Sequence, residues 1–166
     1  MKAIEARTVI EEGLDRMRSL DANQQPAFGV MSADDMVRHL IGSLELTFYE
    51  DPIELEIPED KVPKAYAFLH SDHLIRPGAN QPAFYHELSA PSDQEEFDRW
   101  VEKLRFQYDR MATHLDTAPD DWSHAHPKFG TLDKEMWWLF QGKHFYHNMS
   151  QFGLFPRLEV WEGIPE

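Results

Sequence analysis

The stretch from His126 to Leu154, HPKFGTLDKEMWWLFQGKHFYHNMSQFGL, decides the fold of this chain. It begins with a short loop that contains proline and glycine, and it continues as a helix for which Thr131 is the predicted N-cap. Asp133 and Glu135 follow, and acidic side chains are favourable at the positive end of a helix dipole. Gly153 is a natural residue for the end of the helix.

One sector of this predicted helix starts apolar and becomes polar toward its C-terminal end. At about 100° per residue, the sector contains Trp137, Phe140, His144, His147 or Asn148, and Gln151. Because the aromatic side chains direct this sector into the core, we expect the polar side chains to be buried as well. A buried polar row needs partners, and a metal ion, a ligand or a hydrogen-bond network are the candidates.

The composition excludes several classes of protein. A chain of 166 residues with 42% hydrophobic residues fits a single domain that spans residues 1–166. It has no cysteine, which excludes disulfides, thiolate ligands and a cysteine nucleophile and fits a reducing cytoplasm. A formal net charge of −14 repels phosphate groups and disfavours nucleic-acid binding. We expect neither a membrane span nor a secretory signal, since no apolar run is long enough.

Apolar spacing predicts three further long helices. The first covers residues 2–20, and the second begins at a capping box at Ser32 and ends before Pro52. The third begins at a capping box at Ser92 and continues to Leu115. Together with the helix that follows Thr131, they predict an all-α four-helix bundle with short strands absent or rare.

A long Pro-rich connection, residues 51–91, separates helices 2 and 3. A short helix is predicted at 64–70 within it, and connections of this length often cover a site. His70, His73 and His86 lie in the connection with a spacing that matches no metal motif, so we expect them to be solvated. The tail, residues 157–166, is expected to pack across the helices or to form a short strand-like arm.

His39 lies on the second helix, away from the main apolar stripe of that helix. A lone histidine in such a position is usually half-exposed or hydrogen-bonded within the core. Spacing alone therefore gives His39 no function.

Three motifs resemble the DinB-like superfamily of metal-dependent four-helix bundles. HPKFG at 126–130 and KHFYHNMSQFGL at 143–154 are similar to a bacterial branch of it, in which the last helix ends in H-x-x-H-H-x-x-QFG. FGVMSADDMVRHL at 28–40 is similar to the family segment that carries a histidine on the second helix. The resemblance places that histidine at His39.

The resemblance implies a metal held by three histidines, of which His39 and His144 are two. The third family position, four residues after His144, is occupied here by Asn148, and an amide is a poor ligand for zinc or nickel beside imidazoles. Two alternatives follow from this departure. Either His147, which shares a helix face with His144, replaces the missing ligand, or the site is degenerate and binds no metal.

The superfamily also implies a class of activity. Characterised relatives include thiol-dependent transferases and isomerases, so a divalent metal (Zn, Ni, Fe or Mn) would bind the sulfur of a small thiol substrate and lower its pKa. Gln151, His126, Trp137 and Phe140 are expected around the pocket, and the resemblance favours a homodimer. The alternative is a metal-free bundle that binds a small molecule or serves a structural role as a homodimer.

Overall fold

The computed structural model describes residues 1–77 and 93–163. These residues form five α-helices and one two-stranded antiparallel hairpin, which confirms the prediction of a mainly helical protein. No helix within them is both long and apolar enough to cross a membrane. The elements are α1 (Ala3–Arg16), α2 (Ala33–Glu45), α3 (Val62–His70), α4 (Gln94–Thr117), β1 (Ser123–His126), β2 (Gly130–Asp133) and α5 (Lys134–Gln151).

Side-chain caps fix the starts of two long helices. The Ser32 hydroxyl accepts the Asp35 N–H, and the Asp35 carboxylate accepts the Ser32 N–H, which confirms the capping box predicted for α2. The carboxylate of Asp93 accepts the Glu96 N–H at the start of α4. The predictions for Ser92 and His86 concern residues 78–92, which lie outside the described part of the chain.

The prediction that Thr131 caps the last helix is wrong. Thr131 belongs to β2 and pairs with Ala125 of β1, and Gly130 makes the preceding turn with a φ of +72°. The N-cap lies two residues later, at Asp133, whose carboxylate accepts the Met136 N–H. A β-branched residue after a turn glycine suits a strand, and pairing with β1 requires a partner that local spacing does not reveal.

Two helices end earlier than their apolar spacing indicates. α1 ends at Arg16 and α2 at Glu45, and each continues as a single 3-10 turn, residues 17–19 and Leu46–Phe48. In these turns the N–H groups of Leu20 and Tyr49 donate to carbonyls three residues back, which satisfies part of the C-terminal backbone. The short helix predicted at 64–70 is confirmed as α3.

α5 lies at the centre of the molecule and is buried on nearly every side. Its face toward α1 is closely packed, because a Cβ at Gly142 would lie 2.4 Å from the Cβ and 2.7 Å from the Cα of Ala6. α2 and α3 also pack against α5, while α2 packs against α4. The side chains of α5 therefore have little contact with solvent.

Lys143 on α5 is fully buried, and its position was not anticipated from sequence. Its ammonium group donates to the carbonyls of Phe68, Ser71 and His73, at 2.7, 2.6 and 2.8 Å. Burial lowers the pKa of Lys143 to about 8, and the charge of Asp72 opposes that shift. The three hydrogen bonds hold the end of α3 and the following segment against α5.

The tail, as far as residue 163, shows features of both alternatives from sequence: Trp161 is buried against Tyr146 of α5, and the neighbouring backbone pairs as a short arm. Val160 pairs with His73 in an isolated antiparallel bridge, and the Leu74 N–H donates to Glu159. The Trp161 N–H donates to the carbonyl of Asp72. The segment that Lys143 holds is thus bound from its other side by the tail.

Two glycine substitutions test the packing of α5 on α1. Gly142→Ala places a methyl group against the Ala6 backbone, so the helices must move apart, and we expect a loss of about 1–3 kcal/mol in the free energy of unfolding. Gly42→Ala, on α2, has no atom within 4 Å of the new Cβ and is expected to stabilise the protein by up to about 1 kcal/mol. Urea denaturation of both variants measures the difference, and equal effects would contradict this packing.

Candidate functional site

The structure brings two of the predicted site residues together. The Nε2 atoms of His39 on α2 and His144 on α5 are 2.8 Å apart, and both side chains are buried. At this distance one nitrogen donates a hydrogen to the other when no other group lies between them. His39 is therefore a core histidine that faces the polar row of α5.

Ser43, one turn after His39 on α2, links the pair to Gln141. The Gln141 amide Nε2 donates to the Ser43 carbonyl at 2.8 Å, and the Ser43 hydroxyl donates to Gln141 Oε1 at 3.0 Å. The Ser43 Oγ also lies 3.0 Å from His144 Nδ1. Neither Ser43 nor Gln141 was recognised in the sequence as part of the site, since each is an isolated polar residue at helical spacing.

This chain of hydrogen bonds sets the tautomer of His144. The Ser43 hydroxyl hydrogen is used toward Gln141, so the Ser43 oxygen accepts a hydrogen from His144 Nδ1. The neutral ring then has its lone pair on Nε2, which faces His39. An imidazole whose Nδ1–H is held by a neighbour and whose Nε2 is unprotonated has the form that metal ligands take.

His147, the proposed replacement ligand, has its hydrogen-bond contacts with groups outside the His39–His144 pair. Its Nδ1 lies 3.0 Å from the carbonyl of Ile75, which accepts a hydrogen and so places the lone pair of the neutral ring on Nε2. The Gln151 amide Nε2 is 3.4 Å from that lone pair. The ring of His147 also packs edge-on against Phe28.

Asn148 and Gln151 are both buried, with different roles. The Asn148 amide donates to the carbonyl of His144 at 2.8 Å, one turn back in the same helix. Gln151 packs over Gly29, where a Cβ would lie 3.0 Å from the Gln151 amide nitrogen. The Gln151 Oε1 is buried and has no hydrogen-bond partner among residues 1–77 and 93–163.

The three aromatic positions predicted for the pocket lie on one side of His144. The ring of Phe140 stacks on His144, with centroids 5.3 Å apart, and the ring of His126 meets Phe140 edge-on at 4.3 Å. Trp137 contacts both Phe140 and His126. His126 Nδ1 accepts the Lys128 N–H at 3.1 Å, which fixes the loop that precedes β2.

Burial keeps the imidazoles of the site neutral. Burial, followed by the charge of His147, lowers the pKa of His39 to about 4. Burial also lowers the pKa of His144 well below its usual value, with smaller contributions from His39, His147 and His126. The pKa of His126 is lowered to about 3 by burial and by Lys128. Neutral imidazoles are the forms that bind metal ions.

The donor set fits a metal ion in part. Two imidazole ligands at the usual zinc distance of about 2.1 Å and a tetrahedral angle have nitrogens roughly 3.4 Å apart, so the rings of His39 and His144 would have to separate slightly. Within the described ranges, no three His, Asp or Glu side chains are placed to hold a metal ion. The ligand set of His39, His144 and His147 stays a prediction. Of the three, His39 and His144 are in contact with each other.

Comparisons of the chain with protein-family models, with curated proteins and with solved structures found no match. The geometry of the buried row is therefore the basis for assigning a function.

The depressed histidine pKa values predict acid sensitivity of the metal-free protein. The unfolded state takes up protons below about pH 6.5 and the buried rings do not, so the free energy of unfolding falls as the pH drops from about 6.5 to 4. The pKa shift of His39 alone corresponds to about 3 kcal/mol.

Urea denaturation in the presence of a chelator, repeated across this pH range, measures the effect. His39→Gln should flatten the pH dependence because it removes one titrating group, whereas the exposed His70→Gln should leave it unchanged. Parallel pH profiles for wild type and His39→Gln would contradict the assignment of a buried neutral ring at His39.

Proposed function

We propose that this chain is a DinB-like four-helix bundle that binds a divalent metal ion, with His39 and His144 as two of its ligands. The proposal is supported by the short distance of 2.8 Å between the two Nε2 atoms. It is also supported by the contact between Ser43 and His144 Nδ1, which leaves the lone pair of His144 on Nε2. The four bundle helices would be α1, α2, α4 and α5. Zinc, nickel, iron and manganese all accept imidazole ligands, so the choice among them is left to measurement.

His147 is the proposed third ligand. Its Nε2 has the lone pair, it is electrostatically coupled to both His39 and His144, and it lies three residues after His144 in α5. Recruiting it requires its ring to leave the Gln151 amide, a contact of 3.4 Å that is long for a hydrogen bond. Gln151 would then be free to hold a ligand or a water beside the metal.

We propose a small-thiol-dependent transferase or a related hydrolytic enzyme as the activity. A metal bound by three imidazoles keeps open positions, and there it would bind a thiol sulfur and lower its pKa. Ser43 and Gln141 would hold His144 in the ligand tautomer, and Phe140 would limit the access of water to its ring face. By the same resemblance, the protein would act as a homodimer in the cytoplasm.

A second candidate function follows from the direct contact between His39 and His144. A nitrogen–nitrogen distance of 2.8 Å is that of a hydrogen bond. The amide group of Asn148 donates a hydrogen bond to the carbonyl of His144. On this reading the row is a metal-free hydrogen-bonded network inside a bundle that binds a small molecule or is structural. Metal content separates the two candidates.

We expect about one divalent metal ion per chain in tag-free protein purified without chelators. His144→Ala should abolish binding because it removes a central ligand, while His70→Ala, which changes an exposed histidine at the end of α3, should retain it. Elemental mass spectrometry provides the measurement. Absence of metal after incubation with each of the four ions would contradict the metal proposal and favour the metal-free network.

Asn148→His tests whether the site follows the family pattern. It supplies an imidazole four residues after His144, so we expect at least a ~10-fold gain in metal affinity in competition with a chelator. His147→Ala in the wild-type chain should weaken binding, because that ring is then the third ligand. An unchanged affinity in both variants, with circular dichroism showing an intact fold, would contradict a three-histidine site at this place.

A further inference from the structure

Besides the Gln151 oxygen, three buried polar atoms on the Trp137 side of the candidate site have no hydrogen-bond partner in the described residues. They are the Thr47 Oγ1, the Trp137 Nε1 and the His126 Nε2. The three residues are at most 2% exposed. Folded proteins leave few buried polar groups unpaired, since each costs about 1–3 kcal/mol, and such a group commonly marks a bound water, ion or ligand.

The helix register places Thr47 and Trp137 in the same layer. α2 and α5 run antiparallel here, because Ser43, one turn after His39, contacts Gln141, which precedes His144. One further turn past Ser43 leads to Thr47, in the 3-10 turn Leu46–Phe48 that continues α2, and one turn back from Gln141 along α5 leads to Trp137. The two unpaired atoms thus follow the hydrogen-bonded pairs in the same row.

The hairpin contributes the third atom to this layer. The ring of His126 lies edge-on to Trp137, with centroids 5.6 Å apart, and to Phe140 at 4.3 Å. The neighbouring His124 in β1 interacts with the backbone of Leu46, which adjoins Thr47. The layer thus lies between the 3-10 turn after α2, α5 and β1.

The unpaired atoms are mainly hydrogen-bond donors. An indole nitrogen can only donate. His126 Nδ1 accepts the Lys128 N–H, so the neutral ring of His126 has its hydrogen on Nε2 and donates from that atom. The Thr47 hydroxyl can donate as a third group. A cluster of buried neutral donors is complementary to an oxygen that carries negative charge, as in an oxyanion hole.

We propose that Thr47, His126 and Trp137 form a binding subsite for the carboxylate of a small organic acid. The donors would bind its oxygens, and charge-assisted hydrogen bonds of this kind are stronger than neutral ones. The positive charge of Lys128, which acts on His126, favours an anion over a neutral group. Phe140 lies between His126 and His144, edge-on to the first ring and stacked on the second, so its ring separates a carboxylate held here from the histidine pair.

The subsite uses none of the proposed metal ligands, so it is tested on metal-free protein in the presence of a chelator. Acetate is the probe, acetamide is the neutral probe of the same shape, and sodium chloride controls for ionic strength. The readout is the indole ¹⁵N–¹H signal of Trp137 in ¹⁵N-labelled protein, identified among the five tryptophans by its loss in Trp137→Phe.

We expect acetate to shift the Trp137 signal saturably, and acetamide and chloride to leave it nearly unchanged. Thr47→Val should weaken the apparent acetate affinity at least ~10-fold, since it removes one donor and keeps the shape of the side chain. Thr113→Val, on the exposed side of α4, is the matched control and should bind acetate as the wild type does.

Three results would overturn the proposal. The first is a Trp137 signal that does not move with acetate, in particular one that shows cross-relaxation with a buried water instead. The second is an equal response to acetamide, and the third is an undiminished response in Thr47→Val. Each would assign the three donors to ordered water or to a neutral ligand, and none would bear on metal binding by His39 and His144.

Discussion

The amide of Gln141 constrains the whole interior of the site. It donates to the backbone carbonyl of Ser43, so its oxygen must accept the Ser43 hydroxyl, and that hydroxyl oxygen must accept from His144. The direction of every later hydrogen bond follows from that first one, including the donation from His39 to His144 in the metal-free protein. The same contacts fix the register of α2 against α5, since a shift by one residue would break all of them.

This strict pairing is needed because α5 is buried on nearly all sides. Bulk water has little access to its buried polar side chains, so most of them are paired with groups inside the protein. Lys143 meets that requirement with three carbonyls in the last turn of α3 and just after it, and His147 with the carbonyl of Ile75. Residues 71–77, which follow α3, are thereby positioned next to the histidines, although Leu74 is the one buried side chain among them. Polar groups of the central helix therefore organise the irregular part of the chain.

The sequence predicted the long helices, though not all of their ends, and the family resemblance singled out His39 and His144, which meet in the structure. Apolar periodicity predicted the helices, and the likeness of residues 28–40 to a family segment identified His39, which spacing alone did not. Local patterns failed where the structure depends on distant partners. The hairpin needs β1 to pair with residues around Thr131, and the buried position of Lys143 depends on carbonyls about 70 residues earlier in the chain. The roles of Ser43 and Gln141 likewise depend on each other across two helices.

The tautomer of His144 tests most directly whether the hydrogen bonds run from Gln141 through Ser43 to His144 as described. Long-range ¹H–¹⁵N correlation spectra of metal-free protein labelled at histidine report which ring nitrogen carries the hydrogen, and Ser43→Ala supplies the comparison. We predict a neutral His144 at pH 7, protonated on Nδ1, with an unprotonated Nε2, and loss of that preference in Ser43→Ala. A ring protonated on Nε2, or a charged ring, would contradict the directed hydrogen-bond chain and the ligand geometry inferred from it.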